Sequence, residues 1–352
     1  MKGSGCKAHR LLVANDKKKK WYFKAASLLL FLVLGRTLTL AFKELNSQPN
    51  RSWLSAVRCA VKSITVSKGI HKRSCAARSS IQNNNNTVRV VIVFYGLPRG
   101  LAITAPSIFQ NILLPLKEAR ISYVTYFHHV VFSGVYSNPR NREANLVLNS
   151  TEWALLEPDV ASSTEHEEFL AKNTDLINNV LSFGDPHGND GLSTKNEMEA
   201  LHCLKQAVQV AEADSQRFDG MLILRPDLLY HDILDVHGLL WSIRHGAIVT
   251  PAWQLGGGAN DRFAFGAWEP TIALGKRYDR ILEYCIEKQE PWHPEIFVGW
   301  VLEKHSMEMT SQPDGVCHCH TAQRASRVRA HGHIKTENFC MPSQYFMHCN
   351  SS

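Results

Sequence analysis

The stretch Leu222-Ile223-Leu224-Arg225-Pro226-Asp227-Leu228-Leu229-Tyr230 decides the fold class. An apolar run that ends abruptly in a turn signal reads as a buried strand. Polar groups delivered at the carboxyl end of such a strand sit where open α/β sheets bind ligands. Pro226 cannot donate to a ladder, so Asp227 is expected in a loop against the sheet edge. An aspartate held there is placed to ligate a hard divalent cation, and through it a diphosphate. A surface turn with a solvated aspartate is the plainer alternative.

Working outward, the same pattern recurs. Val88-Arg89-Val90-Val91-Ile92-Val93-Phe94-Tyr95 is nearly all apolar and rich in β-branched residues, as expected of a central strand covered on both faces. It runs into Gly96-Leu97-Pro98-Arg99-Gly100. A helix is predicted next, with Thr104 as cap, Pro106 in the first turn, and Ile108, Ile112 and Leu116 on one face; Pro115 should kink or end it. A strand over 122–128 should close on His128-His129. A short helix is expected near 164–182. A long amphipathic helix follows, opened by a capping box at Thr194-Lys195-Asn196-Glu197 and carrying Met198, Leu201, Leu204 and Val208. Further strands are predicted at 247–250 and 263–265, with helices at about 269–288 and 294–305. Strands alternating with helices indicate an α/β fold built on a mostly parallel, doubly wound sheet.

In such a sheet the loops after the strands converge on one edge. Three of them, 96–100, 225–227 and 256–262, bring Gly96, Arg99, Arg225, Asp227, Asn260, Asp261 and Arg262 together. Arginines bind phosphate oxygens bidentately, and glycines let the backbone approach closely; for Arg99 and Arg262 a surface ion pair is the alternative. Glu295, in Trp292-His293-Pro294-Glu295, opens a helix and is the candidate general base; a first-turn carboxylate that merely complements the helix dipole is the alternative. No nucleophile elbow, P-loop or dinucleotide-binding glycine motif is present, which removes the commonest hydrolase, NTPase and dehydrogenase readings.

Charge is divided along the chain. Residues 1–88 hold 17 Lys/Arg against 2 Asp/Glu, whereas the remainder holds 22 against 30. The mildly acidic globular part argues against a nucleic-acid surface. Residues 1–20 read as a basic cytoplasmic tail, with Lys17 to Lys20 before an apolar run over 21–42 close to the length of a bilayer span. A signal anchor would make this a single-pass type II membrane protein of the Golgi or endomembrane system. A plastid transit peptide stays open, because the first 88 residues are basic, serine-rich and acid-poor. Residues 43–87 read as a disordered stem. Asn50, Asn85, Asn149 and Asn350 head glycosylation sequons on the side that would be lumenal. The stretch 311–352 is a Cys/His-rich extension. Disulfides among Cys317, Cys319, Cys340 and Cys349 suit a lumen, with free thiols and a metal site as alternatives.

The opening at 90–99, followed by Ser107-Ile108-Phe109-Gln110-Asn111-Ile112-Leu113-Leu114-Pro115-Leu116, resembles glycosyltransferases related to bacterial capsule and lipopolysaccharide enzymes, with algal and plant relatives. The resemblance continues at Tyr126-Phe127-His128, 195–213, 219–227, Gly258-Ala259-Asn260-Asp261-Arg262-Phe263-Ala264-Phe265-Gly266 and Pro294-Glu295, covering roughly 88–310. It implies a GT-A-like nucleotide-sugar fold for 88–310, with Arg225-Pro226-Asp227 standing where the family has a metal-binding Asp-x-Asp. The chain departs from that motif by having arginine first, and Arg225 could replace part of the cation's role. On this reading Gly96, Arg99 and Arg225 bind the nucleotide, and Asp227 holds Mn²⁺ or Mg²⁺. Asn260, Asp261 and Arg262 shape the sugar or acceptor site, and Glu295 is the base if the enzyme inverts; a retaining enzyme needs no such base. The expected partners are a nucleotide-sugar donor, a glycan or lipid-linked acceptor, and the membrane. A sulfotransferase and a non-catalytic lumenal binding protein of the same fold are the alternatives.

Overall fold

A computed structural model describes residues 87–138, 141–188, 190–214, 217–308 and 318–335. The expected tail, membrane segment and stem lie outside these residues, as do Cys317, Cys340 and Cys349. Among the described residues no helix is long and apolar enough to cross a membrane.

The chain enters at β1 (Arg89–Gly96), whose side chains are all buried beyond the first. It continues through α1 (Leu101–Ile108), a π-helical segment Phe109–Leu113 and α2 (Leu114–Glu118) to β2 (Ser122–Val131). A hairpin of β3 (Tyr136–Asn138) and β4 (Glu143–Leu146) follows, then β5 (Val160–Glu165), α3 (His166–Leu181), α4 (Leu192–Ala213), β6 (Gly220–Leu224) and β7 (Leu228–Tyr230). The remaining elements are α5 (Val236–His245), β8 (Ile248–Pro251), β9 (Phe263–Ala267), α6 (Trp268–Gly275), α7 (Ile281–Lys288), α8 (Pro294–Glu308), β10 (His318–Thr321) and β11 (Ala325–Arg327).

Seven strands form the central sheet in the order β10-β8-β9-β6-β1-β2-β5. Six run parallel and β9 alone is reversed, so this is a mixed α/β fold with a mostly parallel sheet. Alternation along β1 explains why both faces are covered. Val91, Val93 and Tyr95 point into a core completed by Met198, Leu204 and Val208 of α4 and by Phe297 and Val301 of α8. Val90, Ile92 and Phe94 point into a second core with Leu101, Ile108, Ile112 and Leu116. Period-two strands sandwiched between amphipathic helices leave only the sheet ends open for ligands.

Several local expectations are corrected. The first helix begins at Leu101 on a left-handed Gly100, and Thr104 lies inside it, donating its hydroxyl to Pro226 O at 2.7 Å. Pro115 does not stop the helix: the preceding π-turn absorbs its missing N–H and the chain stays helical to Glu118. The long helix likewise starts at Leu192 behind a left-handed Gly191, so no capping box forms at Thr194. Strand β2 runs past His128-His129 to Val131. The helix expected over 269–288 is α6 and α7 joined by a 3₁₀ turn, Arg277–Arg280.

The largest correction concerns the boundary at 310. Strand β10 is the edge strand of the central sheet, paired in parallel with β8, and β11 pairs antiparallel with β7. Residues 318–335 therefore belong to the same folded unit as 88–310. Cys319 within β10 is disulfide-bonded, while Cys203 and Cys285 are free and buried.

Candidate functional site

The carboxyl ends of β1, β2, β6 and β8 and the amino end of the reversed β9 share one edge of the sheet. The three loops singled out from the sequence therefore do meet. There they border a cavity of about 650 Å³ lined by Arg99, Arg225, Asp261, Arg262 and Glu295. Arg327, Arg329 and Lys335 from the last segment, Glu197 and Glu199 from α4, and His293 complete its charged lining.

Arg99 is anchored by a tight turn, its N–H donating to Leu97 O at 2.9 Å. Its guanidinium is heavily committed: Nη1 donates to Tyr136 Oη at 2.7 Å and to Glu143 Oε2 at 2.8 Å, and Nη2 to Asp227 Oδ2 at 3.4 Å. Glu143 also accepts from the Ala330 amide at 2.7 Å. Burial alone would lower the pKa of Arg99, but Tyr136, Asp227 and Glu143 together raise it. Arg99 is thus a clamp between the β1 loop, the β3–β4 hairpin and the last segment. Gly100 fits this crowding, since a Cβ there would lie 2.8 Å from Val328 Cγ1.

Asp227 is buried beneath the cavity rather than lining it. Arg225 grips it bidentately, Nε to Oδ1 at 2.9 Å and Nη2 to Oδ2 at 3.0 Å. Burial penalises its charge, yet Arg225, Arg327 and Arg99 hold its carboxyl well below the usual carboxylate range. Both oxygens already face guanidinium groups. Among the described residues no set of three or more His, Cys, Asp or Glu side chains is grouped to hold a metal ion. A divalent cation would have to displace the arginines from Asp227, so these residues do not fit the expected Mn²⁺ or Mg²⁺.

Asn260 is also buried, with its amide donating to Trp253 O and its Oδ1 accepting the Arg262 N–H at 2.8 Å. It closes the 253–262 loop and does not line the cavity. Arg262 Nη1 donates to Asp261 Oδ1 at 2.6 Å and Nη2 to Gln254 Oε1 at 3.4 Å. Burial opposes the charge of Asp261, but Arg262 and Arg327 lead the interactions that keep its pKa low.

Glu295 sits in the first turn of α8, pressed against the glycine loop. A Cβ on Gly258 would stand 2.1 Å from Glu295 O, an overlap only glycine avoids. The carbonyl of Glu295 accepts the Ala259 N–H at 2.9 Å, fixing the helix start against that loop. Its Oε2 lies 3.3 Å from His293 Nδ1. Burial, and next to it the charge of Asp261, push the Glu295 carboxyl up to about 7, although Arg262 works the other way. A carboxylate poised near neutrality can take up a proton and release it at working pH.

Gly96, at the end of β1 with φ 93°, turns the chain into the Arg99 loop without lining the cavity. The sequence reading missed Arg327, Arg329 and Lys335, because 311–352 was set apart as an extension. It missed Glu197 as a lining residue by assigning it to a cap. The pairing that carries Arg327 to the site was not readable: it places Arg327 opposite Leu228, and Val328 N–H donates to Asp227 O at 2.8 Å.

No family model matches this chain, and no curated protein is similar to it in sequence. Among solved structures, the crystal structure of mouse xyloside xylosyltransferase 1 in its apo form is similar at a TM-score of 0.34. It is 11% identical over 66% of this chain and 85% of that one. A likeness that distant says nothing about activity.

Proposed function

We propose that this protein is a glycosyltransferase that moves a sugar from a nucleotide-sugar donor to a glycan or lipid-linked acceptor. One observation carries the reading. A cavity at the carboxyl edge of the sheet is lined both by arginines and by Glu295, whose carboxyl is pushed up to about 7. Transfer of this kind breaks the bond between the anomeric carbon and a diphosphate oxygen, and forms one to an acceptor oxygen. The acceptor proton goes to Glu295, and the charge left on the diphosphate meets the guanidinium groups. A base of this kind corresponds to inversion at the anomeric carbon. Arg225, Arg262 and Asp261 border the donor side with Arg99, and the buried Asp227 holds Arg225 and Arg99 in place.

The order of short motifs from 90–99 to Pro294-Glu295, read from the sequence as a resemblance to such transferases, is consistent with the same reading. The basic, apolar N-terminal pattern over 17–42 supports a membrane-anchored protein whose folded part faces the endomembrane lumen.

Titration with a panel of nucleotide sugars, followed by calorimetry, tests the proposal. Binding of a uridine or guanosine diphosphate sugar is the expected result. Binding of adenosine 3′,5′-bisphosphate instead would point to sulfuryl transfer, and binding of neither class would reject an enzyme of this type.

A further inference from the structure

The arginines around Asp227 are not matched one for one. Arg99, Arg225, Arg262 and Arg327 cluster around the carboxylates Glu143, Asp227 and Asp261, and Glu295 also faces Arg262. Arg99 takes Glu143 and a share of Asp227, Arg225 grips Asp227, and Arg262 grips Asp261. The unmatched cation is Arg327. Its buried Nε has no hydrogen-bond partner among the described residues, and the side chain makes no ion pair there. It nevertheless lines the cavity, with Arg225 and Arg262 as charged neighbours. Burial and repulsion from Arg262 and Arg225 push its pKa down to about 9, with Asp227 and Asp261 only partly offsetting them.

A guanidinium held among like charges without an acceptor is an unfavourable arrangement for the empty protein. It becomes favourable once an anion with several acceptor oxygens enters, because a guanidinium offers a planar fork matched to phosphate. Both oxygens of Asp227 already accept from guanidinium groups, so Asp227 itself offers a cation no free ligand.

We infer that Arg327, flanked by Arg225 and Arg262, binds the donor diphosphate directly and takes the place a divalent cation would otherwise fill. The inference rests on the glycosyltransferase reading only in assigning that diphosphate to a nucleotide sugar. Arg225 and Arg262 keep their carboxylates and supply a positive wall, while Arg327 contributes the free fork. Leaving-group charge is then met by preorganised guanidinium groups, which need no proton transfer and no metal.

The test is calorimetric titration of the full chain with inorganic pyrophosphate and with uridine diphosphate, in EDTA and again with Mn²⁺. Pyrophosphate should bind in EDTA. Arg327→Gln should weaken it by roughly ten- to a hundredfold, the loss of one charge-assisted contact. Arg327→Lys should fall between the two, since it keeps charge and loses the fork. Without ligand, the melting temperature of Arg327→Gln should be no lower than that of the wild type, because a repulsive neighbour has been removed. A purely structural Arg327 would lower it. Pyrophosphate binding that appears only with Mn²⁺, no pyrophosphate binding at all, or full affinity in both variants would overturn the inference. Metal-dependent binding of a nucleotide sugar would overturn it and leave the proposed function standing. Metal-free, Arg327-dependent pyrophosphate binding with no affinity for any nucleotide sugar would do the reverse.

Discussion

The loop after β1 and the last segment, around β11, both bring an arginine to Asp227, and the two arginines end in opposite states. Arg99 is bound by Tyr136, Glu143 and Asp227, and its pKa is raised. Arg327 makes no side-chain hydrogen bond among the described residues, and its pKa is lowered to about 9. The same residue type near the same carboxylate is a clamp in one case and an open receptor in the other. The number of acceptors within reach decides which, and that is a tertiary property.

The sharpest way to break this contrast is to remove the carboxylate both regions share. Asp227→Asn leaves the bidentate partner of Arg225 and one acceptor of Arg99 without charge in a buried setting. It should cost about 3–5 kcal/mol, the range for breaking a buried ion pair. Urea unfolding should show this as a lower midpoint at unchanged slope. An unshifted midpoint would mean that the arginine cage carries no stability. Arg99→Gln is expected to cost less, about 1.5–3 kcal/mol, because Glu143 keeps the Ala330 amide and Asp227 keeps Arg225. Arg327→Gln should be the mildest, within about 0.5 kcal/mol of the wild type in the absence of ligand. If it is as costly as Arg99→Gln, the two regions do not differ in the way described.

The parts readable in the sequence were those whose physics is local. Val90 to Tyr95 had to be a central strand, because an unbroken apolar run needs cover on both faces. The meeting of 96–100, 225–227 and 256–262 followed from the direction of parallel strands. The helix starts were misread because left-handed glycines at Gly100 and Gly191 end the preceding turn, a task assigned to Thr104 and Thr194. Strands β3, β4 and β5 are short and largely polar, so they carry no period-two apolar signal. The segment 318–335 was separated by its Cys/His composition, although its backbone completes the sheet. Asp227 looked like a metal ligand because an aspartate after a buried strand carries no mark of how many arginines will surround it. Arg99 and Arg225 were read correctly as neighbours of that aspartate, but their hydrogen bonds point into the protein as much as toward the cavity.

The pH dependence of kcat/KM for wild type and Glu295→Gln, with the nucleotide sugar that binds in titration, tests the proposed chemistry most directly. Glu295 must be deprotonated to accept the hydroxyl proton, and burial beside Asp261 puts that transition at about 7. The wild-type rate should therefore rise with pH through about 7 and then level off. Glu295→Gln should lose that limb and fall roughly 10²- to 10⁴-fold. A Glu295→Gln variant with the wild-type rate and the same pH profile would contradict the assignment of Glu295 as the base.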